Sequence, residues 1–216
     1  MILPELLHDS RWLRQALQIG SGVIVVAVLG FGGLAWYRSQ ESRGLGAIAE
    51  ASALAQQASG PQASREARED AIKALESAIA QYPRVAAVQQ AAYELGNLKY
   101  SLGQYGAARS AYELAIAKGG SPSVRTLAGM GIAYTWESEK NYANAIQAYD
   151  TLVKRLGPKE FMYDEALMAE ARAQDSAGKP AAAVEIYERL LREAPDGPHS
   201  EEVKTRLASL KSRVRQ

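Results

Sequence analysis

One spacing recurs along this chain and limits the folds open to it. An alanine followed four residues later by a tyrosine occurs three times, at intervals of 37 and 38 residues: Ala108 and Tyr112, Ala145 and Tyr149, Ala183 and Tyr187. Residues four apart share one face of an α-helix, so each pair marks an apolar helix face. Ala71, Leu75 and Ala78 form a fainter, earlier copy. Repetition at such a period indicates stacked repeats.

A second amphipathic segment precedes each full copy, which makes the repeating unit a helical hairpin. The three segments are Ala91–Leu102, Val124–Trp136 and Met162–Ser176, and a short turn follows each. Short turns between amphipathic helices produce antiparallel pairs. Ser64 is a good N-cap for an earlier helix that stops at Pro83, and Ser121 with Pro122 begins the second unit. One hairpin cannot bury its own apolar face, so the sequence predicts an all-α solenoid of stacked hairpins.

A long uncharged stretch, Ile19–Tyr37, stands before the repeats. It holds nineteen consecutive residues without a charge, and a helix of that length covers about 28 Å, close to the hydrocarbon thickness of a bilayer. Trp36 and Tyr37 at its end suit the headgroup level. We therefore predict a single N-terminal transmembrane helix. A cleaved signal peptide or a buried core helix is the alternative, but the stretch is long for the first and lacks an apolar partner for the second.

The predicted domain organisation follows from these segments. Residues 1–18 form a short tail, 19–37 the anchor, 38–66 a connecting helix (Ala47–Ala58) with a linker, 67–198 the repeats and 199–216 a closing helix with a charged outer face. Arginines near the two ends of the anchor are equal in number, so charge does not fix its orientation. The short tail before a long domain favours a cytoplasmic N-terminus, with the repeats exported.

Composition argues against several classes of function. The formal net charge of +1 lacks the basic excess expected of a nucleic-acid-binding protein. The chain has no cysteine, so disulfides, cysteine nucleophiles and thiolate metal sites are excluded. Its two histidines, His8 and His199, stand in no catalytic or metal-binding spacing. We expect no enzymatic activity, no cofactor and no metal, with a hydrolase of unrecognised site as the remaining enzymatic alternative.

The repeats resemble the tetratricopeptide repeat, in which a small residue, an alanine, an aromatic residue and a proline follow one another at fixed spacings. The first unit fits this pattern with Gly96, Ala108, Tyr112 and Ala115, and the last with Ala183, Tyr187, Leu190 and Pro195. In the second unit Gly131 stands fourteen residues before Ala145, where the pattern has twelve. This departure predicts a hairpin about half a turn longer. In the last unit Ala171 replaces the glycine.

The resemblance implies where partners bind. In this repeat the first helix of each hairpin lines a groove that takes extended peptides or partner helices. The positions carried over are Tyr93 and Asn97 in the first unit, Arg125, Ile132 and Trp136 in the second, and Met168 and Arg172 in the third. Tyrosine, tryptophan and arginine concentrate binding energy, and methionine adapts to irregular apolar partners. For Tyr93 and Trp136, packing between hairpins is the alternative role.

The whole layout of short tail, single anchor and alanine-rich repeats resembles the YfgM family of bacterial inner-membrane proteins. That resemblance implies a single-pass protein with periplasmic repeats, an ancillary or chaperone subunit of the Sec translocon. Its partners would be translocon subunits, a membrane-anchored chaperone and newly exported proteins, and it would bind the membrane through Ile19–Tyr37 but no nucleic acid. The alternative is a scaffold of another envelope complex, such as that of cell division, cytochrome maturation or outer-membrane assembly.

Overall fold

The computed structural model describes the backbone of residues 11–214 and the side chains of residues 29–30, 33–34 and 36–213. Within these ranges the regular secondary structure is entirely helical. The nine α-helices are α1 (Arg11–Ala58), α2 (Arg65–Gln81), α3 (Val88–Ser101), α4 (Tyr105–Ala117), α5 (Pro122–Ser138), α6 (Tyr142–Arg155), α7 (Tyr163–Ser176), α8 (Pro180–Glu193) and α9 (Ser200–Val214). The chain divides into two compact units, Met1–Leu45 and Gly46–Gln216.

The predicted anchor, residues 19–37, falls within α1. This helix runs without a break from Arg11 to Ala58, so the predicted connecting helix Ala47–Ala58 is its last part. The side chains of residues 19–28, 31, 32 and 35 lie outside the described residues, as does the backbone of residues 1–10. Among the residues that are described, no helix has both the length and the apolar character that crossing a membrane requires.

The second unit begins where the end of α1 meets α2. Ile48, Ala51 and Ala55 of α1 are buried in one core with Ala71 and Leu75 of α2. The turn between these helices ends at Ser64, whose side-chain oxygen accepts a hydrogen bond from the Ala67 amide at 3.1 Å. The predicted N-cap is therefore confirmed, and it satisfies one of the free amides at the start of α2.

Three helical hairpins follow, as predicted: the first is α3–α4, the second α5–α6 and the third α7–α8. Each has a turn of three residues between its helices. The middle residue of each turn has a positive φ: 74° at Gly103, 58° at Lys140 and 74° at Gly178. Left-handed backbone closes a helix end readily at glycine, whereas a side chain costs energy there. The three hairpins thus share one turn geometry, and the second adopts it without glycine.

Helix α5 is the long member of the set. It has 17 residues, whereas α3 and α7 have 14 each, so the second hairpin is the longest, although the extra length was predicted between Gly131 and Ala145 and does not lie there. Because all three turns have equal length, the extra residues lie at its amino-terminal end. The buried Gln89 fixes this end, since its amide group donates to the Ser121 carbonyl at 3.2 Å and accepts from the Ser121 amide at 2.7 Å. The solenoid closes with α9, which buries Val203 and Leu210.

Candidate protein-binding surfaces

Tyr112 of α4 closes the junction between the first and second hairpins. A Cβ atom added to Gly96 would lie 2.4 Å from the Tyr112 ring, and one added to Gly131 would lie 2.6 Å from it. The ring therefore lies between two helix backbones at positions where only glycine fits. Its hydroxyl donates to Oδ1 of Asn97 at 2.9 Å, and burial raises the pKa of Tyr112 above its ordinary value. Tyr112 is a fixed structural element of the solenoid.

A shallow cavity of about 250 Å³ opens where the first helices of successive hairpins lie side by side. We call its lining the tyrosine face. It is aromatic and mostly uncharged, and it consists of Tyr93, Asn97, Tyr100, Tyr112, Leu127, Met130, Gly131, Tyr134 and Met162. Tyr93, Tyr100, Leu127 and Tyr134 are each partly exposed. These side chains offer apolar area with polar tips to a partner.

Hydrogen bonds hold the tyrosine face in one arrangement. The hydroxyls of Tyr100 and Ser138 lie 2.8 Å apart, which ties α3 to α5. The Tyr134 ring meets the Tyr149 ring edge-on at a centroid distance of 6.1 Å. Tyr149 in turn donates to Glu137; burial and this bond raise its pKa. A surface whose aromatic rings are already ordered loses less conformational entropy on binding.

The third hairpin continues the same side of the solenoid with charged residues. Here a cavity of about 430 Å³ lies between α7, α8 and the closing helix α9. Arg172 and Asp175 of α7 line it with Tyr187 of α8, and Arg206 and Arg213 face them from α9. Arg213 forms an ion pair with Asp175. The character of this side thus changes from aromatic in the first two hairpins to ionic in the third.

A second groove lies on a different side of α5, between α4 and α6. Its volume is about 340 Å³. We call it the tryptophan groove, and its lining is Ile116 of α4, Gly129, Ile132 and Trp136 of α5, and Asn144, Gln147, Ala148, Thr151, Leu152 and Arg155 of α6. The floor is apolar, and amide and hydroxyl groups stand along the α6 rim.

A family model described as a tetratricopeptide repeat-like domain matches residues 11–162, more than half of the chain. The chain belongs to the tetratricopeptide repeat family. A second model, described as a tetratricopeptide repeat, matches residues 141–198. No curated protein sequence matches this one.

Solved structures share the fold at low sequence identity. The TPR-like repeats of a Podosopora anserina protein of the kinesin light chain type superpose with a TM-score of 0.58 at 18% identity, covering 80% of this chain and 87% of that one. A MamA RS-1 double mutant gives a TM-score of 0.53 at 13% identity, covering 77% and 96%. Another MamA structure, with a TM-score of 0.49 at 21% identity, is covered over 64% of its own length and 59% of this chain. At these identities the likeness is one of fold alone.

The tetratricopeptide repeats place the predicted binding residues on two different sides of the solenoid. Tyr93 and Asn97 lie on the tyrosine face. Arg172 lines the ionic cavity of the third hairpin. Met168 is buried, with 5% of its surface exposed, and packs in the core of the second and third hairpins. No single groove contains all seven residues, because Arg125, Ile132 and Trp136 do not join the others.

The separation of Arg125, Ile132 and Trp136 follows from a register error of two residues in the second unit. The residue twelve positions before Ala145 is Ala133, which is fully buried and takes the place that Gly96 has in the first hairpin. Counting from Gly131 instead shifts every position by two, which rotates it by about 200° around the helix. Ile132 and Trp136 accordingly line the tryptophan groove, and the Arg125 carbonyl accepts a hydrogen bond from Arg155 of that groove.

Five residues of the tyrosine face were missed as binding candidates by the sequence analysis: Tyr100, Met162, Met130, Leu127 and Tyr134. The signal that locates the last two is the twelve-residue spacing from Ala133 to Ala145, which the more conspicuous Gly131 obscured. Among the described residues, no group of three or more acidic or histidine side chains is placed to hold a metal ion. His199 pairs only with Glu165, at 3.3 Å, and nothing in this part of the chain points to catalysis. Proteins of this repeat family generally act as scaffolds for other proteins.

Proposed function

We propose that this protein is a membrane-anchored tetratricopeptide-repeat protein of the bacterial envelope that holds newly exported proteins near the Sec translocon. The observation that carries the proposal is the tyrosine face, a preordered and mostly uncharged aromatic cavity. Its chemistry suits extended apolar segments of incompletely folded chains. Weak contacts of this kind also permit release.

The tyrosine face favours a broad range of protein partners. Tyr93, Tyr100 and Tyr134 are partly exposed and are of a type that concentrates binding energy. Met130 and Met162 complete the lining with side chains that adapt to irregular apolar shapes. A phosphate or nucleic-acid ligand would need cations here, and the lining of this cavity contains none.

Membrane attachment is proposed from the uncharged stretch Ile19–Tyr37. Within it, the side chains of Leu29, Leu34, Trp36 and Tyr37 are about half exposed or more, at 70%, 47%, 65% and 54%. Exposing several large apolar side chains to water is unfavourable, and we propose that lipid covers these four. Tethering at the membrane raises the effective concentration of the repeats to about millimolar where clients emerge.

A reporter fusion tests the orientation. We expect a reporter that is active only in the periplasm to function when fused after Gln216, and a reporter that needs the cytoplasm to fail. The opposite pattern would exclude a periplasmic role for the repeats.

Photo-crosslinking tests the tyrosine face. A photoreactive residue in place of the exposed Gln90 on α3 should crosslink to newly exported, pulse-labelled proteins. Leu127→Glu introduces a charge into the apolar cavity and should lower this crosslinking several-fold, whereas Ala143→Glu at an exposed position of α6 should not. Equal crosslinking in both variants would exclude this face. Capture of one protein at fixed stoichiometry, without pulse-labelled clients, would favour the scaffold function instead.

A further inference from the structure

The tryptophan groove has the dimensions of a helix-binding site. Its α6 wall is a single stripe, formed by residues 144, 147, 148, 151, 152 and 155. These positions follow the three-and-four spacing of one helix face and extend over about 16 Å, or three turns. Gly129, Ile132 and Trp136 form a matching stripe on α5. A groove between two helical stripes of this length accepts the apolar side of a third helix.

Trp136 at one end of the groove is held rigidly. The Arg109 guanidinium lies 3.5 Å from the centre of the Trp136 ring. Glu139 neutralises this arginine through hydrogen bonds of 2.7 and 3.3 Å, and Thr135 accepts a further one at 3.2 Å. One face of the indole ring is therefore covered by Arg109, whose charge is balanced by Glu139. A fixed, partly exposed tryptophan is a typical anchor for a protein partner.

The other end of the groove is cationic. Arg155 donates to the Arg125 carbonyl at 3.4 Å, so the two arginines meet where α6 ends and α5 begins. In the part of the chain that the structure describes, neither forms an ion pair with a carboxylate. Burial lowers the pKa of Arg155 and the charge of Arg125 lowers it further, whereas Glu160 opposes them. An incoming carboxylate would relieve this repulsion.

We propose that the tryptophan groove binds an amphipathic helix of a partner protein, whose apolar stripe packs on Trp136, Ile132 and Leu152 and whose carboxylate pairs with Arg155 and Arg125. The charge at one end sets the direction and register of the bound helix. This site is separate from the tyrosine face, so a fixed partner and a transient client can be bound together.

Synthetic helical peptides test the proposal on the full-length protein in detergent micelles. The parent peptide carries two leucines one turn apart and a glutamate one turn beyond, and its companions carry glutamine or lysine in place of the glutamate. The chain has three tryptophans, so Trp12→Phe with Trp36→Phe leaves Trp136 as the sole tryptophan, whose emission is then excited selectively. We expect the glutamate peptide to shift Trp136 emission and to bind about tenfold more tightly than the glutamine peptide, as a charged hydrogen bond implies.

Lys154, the residue before Arg155 on α6, provides a matched control for Arg155. Arg155→Gln should abolish the preference for the glutamate peptide, whereas Lys154→Gln, the same change of charge on the exposed partner of Asp150, should keep it. Thr151→Glu, at an exposed position one turn before Arg155, should also weaken the glutamate peptide by supplying a competing carboxylate.

Four results would overturn the proposal. The glutamate and glutamine peptides could bind equally, or Arg155→Gln and Lys154→Gln could have equal effects. The peptide could bind without shifting Trp136 emission and lose its binding in Leu127→Glu, which would place the peptide on the tyrosine face. Finally, light scattering could show self-association that Arg155→Gln removes, which would make a second copy of this chain the occupant. Client crosslinking from Gln90 is independent of all these outcomes.

Discussion

The junction between the first and second hairpins and the junction between the second and third are each built around a tyrosine, but the backbones beside them differ. Tyr112 packs between Gly96 and Gly131. At the positions equivalent to these two glycines, the next junction has Ala133 and Ala169, both fully buried. The second junction therefore accommodates a methyl group at each position where the first has none.

The two tyrosine hydroxyls reflect the same difference. Tyr112 donates to Asn97, the residue immediately after Gly96. Tyr149 donates to Glu137, four residues after Ala133 and thus one turn farther along the helix. The comparison shows that one repeat pattern permits two placements of the tyrosine, each with its own small residues and its own acceptor for the hydroxyl.

The largest expected effect distinguishes the two junctions by adding a methyl group to the tighter one. Gly131→Ala would place a Cβ 2.6 Å from the Tyr112 ring, which cannot retreat because Gly96 lies against its other side. We expect a loss of about 3 kcal/mol in the free energy of unfolding, measured by urea denaturation. In the control Gly129→Ala, the new Cβ meets the ends of two side chains, Leu152 at 3.2 Å and Arg155 at 3.5 Å, and the change should stay within about 0.5 kcal/mol. Equal urea midpoints for the two variants would contradict the close packing of the Tyr112 ring between Gly96 and Gly131.

A second prediction concerns pH and the second junction. Glu170 lies beside Ala169 with 9% of its surface exposed, and burial raises its pKa to about 7, with Asp150 adding to the rise and Arg189 and Lys154 opposing it. The folded protein therefore binds this proton more tightly than the unfolded chain, and stability falls as pH rises through 7. Glu170→Gln should stabilise the protein by about 2 kcal/mol at pH 8.

The pH dependence of that gain is the decisive measurement. The advantage of Glu170→Gln should disappear below about pH 4.5, where the carboxyl is protonated in both states. Urea denaturation of both proteins across this range tests it. A gain that is constant with pH would mean that the glutamine stabilises by packing alone.

A smaller effect separates the two hydroxyl acceptors. Tyr149→Phe removes a hydrogen bond to a carboxylate and should cost about 2 kcal/mol, whereas Tyr112→Phe removes one to an amide and should cost about 1 kcal/mol. Denaturation of the two variants beside wild type measures the difference. The reverse order would show that Tyr112, packed between two glycines, depends more on its hydroxyl than Tyr149 does.

The smallest expected effect lies in the turn of the second hairpin. Lys140 has a φ of 58° at the position where the other two hairpins have glycine. Lys140→Gly should stabilise the protein by about 0.5–1 kcal/mol by removing the strain of a side chain in left-handed backbone. Gly103→Lys should cost a similar amount, and thermal unfolding compares the two. A loss of stability in Lys140→Gly would show that the lysine side chain makes a compensating contact.

The hairpins could be predicted from the sequence because their signals are local. The alanine–tyrosine spacing, Ser64 and the Ser121–Pro122 pair each act within one helix or turn, and the structure has the predicted hairpins and both caps. The family match confirms the repeat type.

The predicted register of α5 was wrong because the glycine at position 131 is required by the preceding hairpin and not by its own. It is glycine because the ring of Tyr112, nineteen residues earlier, lies against it, and it has no part in the spacing to Ala145. A pattern read along one repeat cannot reveal a requirement imposed by the preceding one. The candidate residues Tyr93 and Asn97 of the first unit therefore lie on the tyrosine face, whereas Ile132 and Trp136 of the second line the tryptophan groove.

The fit of Tyr112 against Gly131 also has an evolutionary consequence. Repeat arrays change by gain and loss of whole units, but here the units are not interchangeable. Deleting the second hairpin would bring Tyr112 against Ala169, the residue equivalent to Gly131, and the added methyl group would meet the ring. The order of the hairpins therefore depends on side-chain volumes at their boundaries, and a recombined descendant would lose stability unless the small residue facing the tyrosine changed with it.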